Sequence, residues 1–318
     1  MKALAFPVAL LAVIGLVLAS LATGAGAVPW DRLWSDPAAW DVLLISRWPR
    51  TVALVLAGMA VSVSGLILQV LTQNRFVEPA TAGTVPAASL GILVIGIAWP
   101  AAPVVVKMLV AAGFSIAGLA LFLLILRRLS LRSALLIPLV GIMLGAVLGA
   151  ITTFVAVRYE MLQSLIAWLS GDFSVILRGR YEVLWLVGLL TAMVYLIANR
   201  LSIVGLGRDV AITLGLNYRS TMLFALMIVA MVNGVVTVVV GTLPFLGLIV
   251  PNLISLMKGD HIRRTIPWVC LLGSGITLLC DIAGRVIRAP YEIPAGALLG
   301  VFGAVVFLLV LLQEPRHG

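Results

Sequence analysis

No charged side chain interrupts the chain between Arg50 and Arg75. The apolar part of that interval, Thr51 to about Leu71, matches the roughly 20 residues that cross a hydrocarbon core about 30 Å thick. It reads as a transmembrane helix and not as a buried helix of a soluble domain. Pro49 suits the first turn, where its missing N–H leaves no bond unmade, and Ser46 is a cap candidate just before it. Arg47 and Arg50, three apart, project from neighbouring positions at one mouth of the span. The polar loop Asn74-Arg75-Phe76-Val77-Glu78-Pro79 lies at the other mouth. An arginine pair at a helix end has two readings, snorkelling to lipid headgroups or receiving an acidic partner.

The same pattern recurs along the whole chain. Apolar stretches fall near 3–27, 49–71, 83–101, 103–126, 134–157, 182–199, 219–240, 242–257, 266–287 and 294–312. With 63% hydrophobic and 10% charged residues over 318, and a mean hydropathy of +1.21, a soluble globular chain is excluded. The expectation is an all-α polytopic membrane protein with about ten transmembrane helices, forming a single membrane domain over 1–318. Met1 to Ala27 resembles a signal peptide in its Lys2 and small residues, but its apolar run is long, and it reads as a retained helix.

An even helix count puts both termini on one side. With the termini cytoplasmic, Arg127, Arg128, Arg132, Arg200, Arg208, Arg219, Lys258, Arg263 and Arg264 lie inside, in line with the positive-inside bias. Arg32, Arg47, Arg50, Arg158, Arg178, Arg180, Arg285 and Arg288 then lie outside. A docking partner with acidic residues is one cause for that excess. The net charge of +9 belongs to lipid and protein contacts, since no basic tract interleaved with aromatics suggests nucleic acid.

Enzyme chemistry has little to work with. His261 and His317 are the only histidines, so a histidine metal site or triad has no support. The chain lacks G-x-x-x-x-G-K-[ST], and any ATPase that drives it is another chain. Asp281 is the acid well inside a span, with Arg285 at i+4, which predicts a local ion pair. Gln69, Asn233 and Thr237 read as interhelical hydrogen-bonding residues. Cys270 and Cys280 lie roughly 15 Å apart along one helix, too far for a disulfide. Gly141, Gly145 and Gly149, and again Gly296 and Gly300, have the small-xxx-small spacing that lets a neighbour approach closely.

Five segments in order resemble one family, and the resemblance covers nearly the whole chain. They are Arg47-Trp48-Pro49-Arg50-Thr51; Gly65 through Gln69 and Asn74 to Pro79; Leu206-Gly207 through Leu214-Gly215; Gly247-Leu248-Ile249-Val250-Pro251-Asn252 followed by Asp260-His261-Arg263; and Asp281 to Gly296. They are similar to R-x-P-R-T, G-x-x-x-Q-x-x-x-x-N-P-L-A-x-P, L-G-x-x-x-A-x-x-L-G, G-L-x-x-P-H with D-H-R, and D-x-x-A-R ending in E-x-P-x-G. These belong to the permease subunits of type II ABC importers, the iron-siderophore, haem and vitamin B12 uptake family. Two departures stand out: Arg75-Phe76 replaces Pro-Leu, and Asn252 replaces the histidine. The first, with Ala80-Thr81-Ala82-Gly83-Thr84 and Leu90-Gly91-Ile92-Leu93-Val94, resembles the branch serving catecholate and related siderophores.

The resemblance implies a type II importer fold in the bacterial inner membrane with no cofactor and no bound metal of its own. It implies two ABC ATPase subunits inside, an extracytoplasmic siderophore-binding protein outside, and a second permease that is a related chain more readily than a copy. Carried over by motif, Arg47, Arg50 and Arg285 dock the binding protein. Asn74, Phe76, Ser130 and Ser133 form the cytoplasmic gate. Arg208, Asp209, Leu214, Gly215 and Asn217 couple to the ATPase, on a turn and short helix stopped at Gly215. Thr152, Thr153, Gln163 and Ser164 lie near the path. Haem and cobalamin are the alternative cargoes, and an ion-coupled secondary transporter or a structural membrane subunit the alternative classes.

Overall fold

The computed structural model describes residues 5–24, 37–128, 136–288 and 291–313. Among them every regular element is helical. The span that opens the sequence reading is longer than expected. Helix α2 (Pro37–Val42), a π-helical turn over Leu43–Arg47 and helix α3 (Trp48–Thr72) are continuous, and from Trp40 they form one apolar run of 33 residues. Ser46 therefore caps nothing, because it lies inside the π turn. Such a turn widens the helix by one residue, a feature often found at functional positions; here it ends at Arg47.

The remaining helices are α1 (Ala5–Ala22), α4 (Thr84–Ala98), α5 (Val104–Arg128), α6 (Leu136–Arg158), α7 (Leu162–Leu169), α8 (Leu184–Leu196), α9 (Ala198–Val204), α10 (Arg208–Thr213), α11 (Tyr218–Val239), α12 (Leu246–Lys258), α13 (Ile262–Ile287) and α14 (Ala295–Gln313). Among the described residues six helices are long and apolar enough to cross a membrane, or seven if α8 and α9, bent by 64° at their junction, count as one broken span. The other three apolar stretches correspond to shorter helices: α4, α12 and the Ala295–Leu309 part of α14. At 15 residues and 13 residues, α4 and α12 reach only about 20 Å at 1.5 Å per residue. Each is preceded by irregular backbone packed into the protein. Asn74, Val77, Glu78 and Ala82 before α4 are buried, as are Val240 and Leu243 before α12. Non-helical chain at membrane depth is tolerated where protein covers it in this way.

Helix α3 is the axis around which the others pack, touching α8, α11, α12 and α13. Small residues set the closest crossings. A Cβ on Gly58 would lie 2.7 Å from the Gly273 carbonyl oxygen of α13. One on Gly65 would collide with the backbone carbonyl of Gly247 at the start of α12. The glycine series read from the sequence works differently from expectation. Gly141 makes room for the Thr81 carbonyl in the loop before α4, Gly145 meets Pro86 Cγ at 3.4 Å, and Gly149 has nothing within 4 Å. A Cβ on Gly296 would lie 2.6 Å from the Ser170 carbonyl, whereas one on Gly300 would make only ordinary contact with Pro244 Cγ at 3.6 Å. Helix α1 is the contrast to α3, with only Ser20 and Leu21 buried. It lies along α13, with Phe6 edge-on to Trp268 at 5.2 Å.

Of the polar residues expected to bridge helices, Gln69 does so, donating from Nε2 to the Leu248 carbonyl at 3.3 Å. Asn233 instead donates to Val229 four residues back in its own helix. Both cysteines are free thiols.

Candidate functional site

The polar chemistry gathers at the two ends of α3. At its N-terminal end the guanidinium groups of Arg50 and Arg285 meet two carboxylates, with Arg47 beside them. Arg50 donates from Nε and Nη2 to Asp281 Oδ1 at 3.1 and 2.7 Å and from Nη1 to Glu292 Oε2 at 2.7 Å. Arg285 takes the other oxygen of Asp281, so one carboxylate, 1% exposed, serves two arginines. The local Asp281–Arg285 pair expected from the i+4 spacing is thus present, with Arg50 as an unforeseen third member.

The positive charge left over rests on the end of α1. Arg285 donates to the Ser20 and Thr23 carbonyls at 3.0 and 2.7 Å and to Ser20 Oγ at 2.7 Å. Arg47 donates to the Leu21 and Ala22 carbonyls at 2.9 and 3.1 Å. Ser20 Oγ also bonds Thr51 Oγ1 of α3 at 3.0 Å. The last carbonyls of a helix have no partner within it and carry its negative pole, so the two arginines both satisfy and neutralise the C-terminus of α1. Arg47 and Arg285 are consequently buried, and Arg50 nearly so. Within the chain all three are thus engaged by acceptors that the sequence reading did not foresee, apart from Asp281 for Arg285. Among the described residues, the exposed arginines of the set that the sequence reading placed on this side are Arg158, Arg178, Arg180 and Arg288; Arg32 lies outside the described residues.

At the other end, the loop leaving α3 is fastened to α12. Below the Gly65–Gly247 crossing, Gln73 adopts a left-handed conformation with φ 51° and ends the helix. Asn74 is buried, and its Oδ1 accepts from Phe76 N–H at 2.8 Å, which turns the chain. Asn252 Nδ2 donates to the Arg75 carbonyl at 2.8 Å, and Arg75 pairs with Asp260 at 3.0 Å. The two departures from the family pattern, at Arg75-Phe76 and Asn252, are therefore in direct contact. Glu78 closes the set: it is buried and lines, with Leu243 and Pro244 of the connection before α12, a cavity of about 230 Å³. Phe76 and Phe245 flank Phe307 of α14, with ring centres 6.2 and 6.5 Å away.

The segment Gly205 to Asn217 has the turn and short helix expected of it. Gly207, with φ 103°, starts α10. Gly215, with φ 77°, ends it through two bonds, from Gly215 N–H to Ile212 O and from Leu216 N–H to Ala211 O. That is a Schellman stop, which needs a left-handed residue. Arg208, Asp209 and Leu214 are exposed, while Asn217 caps α11 by accepting from Ser220 N–H at 3.1 Å. The segment is tied to α3 by Gln73 Nε2, which donates to Gly205 O at 3.0 Å. Between them lies a cavity of about 400 Å³ lined by Gln69, Gln73, Asn74, Leu206, Asn252 and Asp260, among others.

Ser130 and Ser133 lie outside the described residues. Thr152 is buried and bonds back to Leu148 O at 2.7 Å, while Thr153, Gln163 and Ser164 are exposed. These four do not converge on any cavity among the described residues, and no group of three or more His, Cys, Asp or Glu side chains there is arranged to hold a metal. Sequence reasoning missed Ser20, Gln73, Glu78 and Glu292. Glu78 had a signal, a carboxylate beside a proline in a loop linking two spans.

Comparison with known proteins follows this geometry. The model of the FecCD transport family matches residues 10–313. The petrobactin import system permease protein FatD of Bacillus anthracis is 44% identical over 311 residues, covering 98% of this chain and 92% of that protein. The ferric-anguibactin transport system permease protein FatD of Vibrio anguillarum is 38% identical over 308 residues, 96% and 98% of the two chains. A solved structure of a metal-chelate type ABC transporter in an inward-facing conformation superposes with a TM-score of 0.81 at 23% identity, covering 98% of this chain and all of that one. At that identity the likeness establishes the fold, which is that of type II ABC importer permeases.

Proposed function

Because the chain belongs to the FecCD transport family, we propose that it is the permease subunit through which an ATP-driven importer moves a ferric siderophore of the catecholate or a related class across the bacterial cytoplasmic membrane. The carrying observation is the near-full-length identity of 44% to a petrobactin import permease. The chain is the membrane-spanning part of such an importer and not its ATPase; ATPase and binding-protein subunits are its partners. A related chain is its companion permease, and both of its termini face the cytoplasm.

On this reading the N-terminal end of α3 faces the binding protein. Arg50, paired with the partly exposed Glu292, is the contact through which an incoming acid exchanges. Arg47 and Arg285 fix the ends of α1, α3 and α13 beneath it. The C-terminal end, with Asn74 and Phe76 and with Ser130 and Ser133 of the α5–α6 connection, is the gate. Helix α10, through Arg208, Asp209 and Leu214, takes the thrust of the ATPase, and Gln73 hands it to α3. Thr152, Thr153, Gln163 and Ser164 are proposed to border the path. Rigid-body motion of α3 then links the two faces, an alternating-access scheme.

Proteoliposomes containing this permease, its companion, the ATPase and the binding protein test the reading. Ferric petrobactin accumulates only with ATP; accumulation driven by a proton or sodium gradient without ATP refutes it.

A further inference from the structure

Lys107 and Arg180 are cations that no role described above uses. Both line a cavity of about 160 Å³ bounded by α4, α5, α7 and the end of α11, whose other walls are Ile92, Gly96, Trp168 and valines of α5 and α11. No acid lines it, and among the described residues neither cation has a carboxylate within ion-pair distance. Lys107 donates to the Pro100 carbonyl at 3.1 Å, which occupies one of its three N–H donors. It stands on the packed face of α5, beside the buried Met108 and one turn from the buried Ala111, while Val105 and Leu109 point outward. A charged side chain so placed on a membrane helix marks a functional position, with a partner to be named.

Two backbone bonds set the level of the cavity. Arg178 N–H donates to Ile45 O at 3.0 Å, tying the α7–α8 connection to the start of α3, and Thr242 N–H donates to Leu169 O at 3.3 Å, tying α7 to the end of α11. Exposed Trp40, Trp48, Trp99, Trp168 and Trp185 lie at this same end, and such rings collect at the headgroup level of a bilayer. We propose that Lys107 and Arg180 hold the phosphate of an anionic phospholipid. Basic pockets between membrane helices bind lipid headgroups. The volume falls below the roughly 300 Å³ of sites that enclose a drug-sized ligand, so it takes one acidic group and not a whole chelate. Two cations select a lipid of net negative charge over a zwitterion, whose own ammonium would meet them. Val94 of α4, with Val105 and Leu109 of α5, gives the acyl chains an exposed apolar surface alongside.

The site is independent of the importer reading, and its test uses the permease as it purifies from the membrane, without ATP or siderophore. Native mass spectrometry counts what the protein retains after exchange into phosphatidylglycerol, phosphatidylcholine or inorganic phosphate. The unaltered chain keeps one phosphatidylglycerol in preference to phosphatidylcholine. Each cation near a charged surface contributes about fivefold, so Lys107→Gln combined with Arg180→Gln lowers that preference about thirtyfold. Arg158→Gln, at an exposed arginine outside the cavity, changes it less than about twofold, as a screened surface charge does. Equal retention of the two lipids by the unaltered chain overturns the site, whether or not any variant folds. So does retention of inorganic phosphate in place of the lipid, or an Arg158→Gln loss as large as that of the double variant. A double variant that keeps the lipid preference but loses affinity for the binding protein also overturns it, and assigns the two cations to that partner. Failure of ATP-driven uptake bears on the importer reading alone.

Discussion

Replacing Asp281 by asparagine removes a charge at almost constant volume, and the structure sets what is lost. Asp281 is 1% exposed and accepts from both Arg50 and Arg285. Arg50 keeps Glu292 at 2.7 Å, and Arg285 keeps the two α1 carbonyls and Ser20 Oγ. Most hydrogen bonds therefore survive, and what disappears is the compensation of two buried cations. Removing one partner of a buried pair costs about 3–5 kcal/mol, chiefly because the other charge stays buried. The retained bonds put Asp281→Asn near about 3 kcal/mol. Equilibrium unfolding in mixed micelles, followed by tryptophan fluorescence, reads this directly. Adding Arg285→Met to Asp281→Asn removes the cation left without a carboxylate and recovers part of the loss, within the ~0.5–3 kcal/mol coupling found for residues in contact. A single variant within about 1 kcal/mol of the parent, or a double variant that costs the full sum of its singles, refutes the claim that burial and sharing of this carboxylate hold the end of α3.

Gly65→Ala drives a methyl into the Gly247 carbonyl, costing about 1–3 kcal/mol as overpacking does and breaking the Gln69 bonds to α12; the same unfolding assay checks it. Arg75→Ala costs less than about 1 kcal/mol, because Arg75 and Asp260 are half or more exposed and surface pairs contribute little; a larger loss shows that the pair is buried in the working protein. Gly215→Ala forces a left-handed alanine at φ 77°, destabilises the end of α10 by about 1 kcal/mol, and lowers ATPase affinity in a pull-down; unchanged affinity separates the stop from the docking.

The course of α3 was legible because a charge-free run between two polar groups leaves a membrane helix little freedom. The five motifs were legible as a family, but their pairing was not. Asn252 and Arg75 meet across 177 residues of sequence, and nothing local in either marks the other. The burial of Arg47 and Arg285 was hidden for a different reason: several of their acceptors are backbone carbonyls of α1, which every residue possesses. Glu78 was legible only as part of a polar loop at the mouth of α3, and nothing in that loop's composition shows that it turns inward and buries the residue. Helix α12 was overestimated because buried irregular chain before it is as apolar as the helix itself.

Arg50 lies 231 and 242 residues ahead of the carboxylates that neutralise it. On a ribosome, α3 therefore leaves the exit tunnel long before Asp281 or Glu292 exists. Until then Arg50 stays at the headgroup level, where long cationic side chains reach water, whereas Arg47 meets the Leu21 and Ala22 carbonyls of the earlier α1. The arrival of Asp281 on α13, and then of Glu292, draws Arg50 into the protein. This end of α3 thus matures on a timetable set by a late helix, and a nascent chain halted before residue 281 presents an unneutralised Arg50.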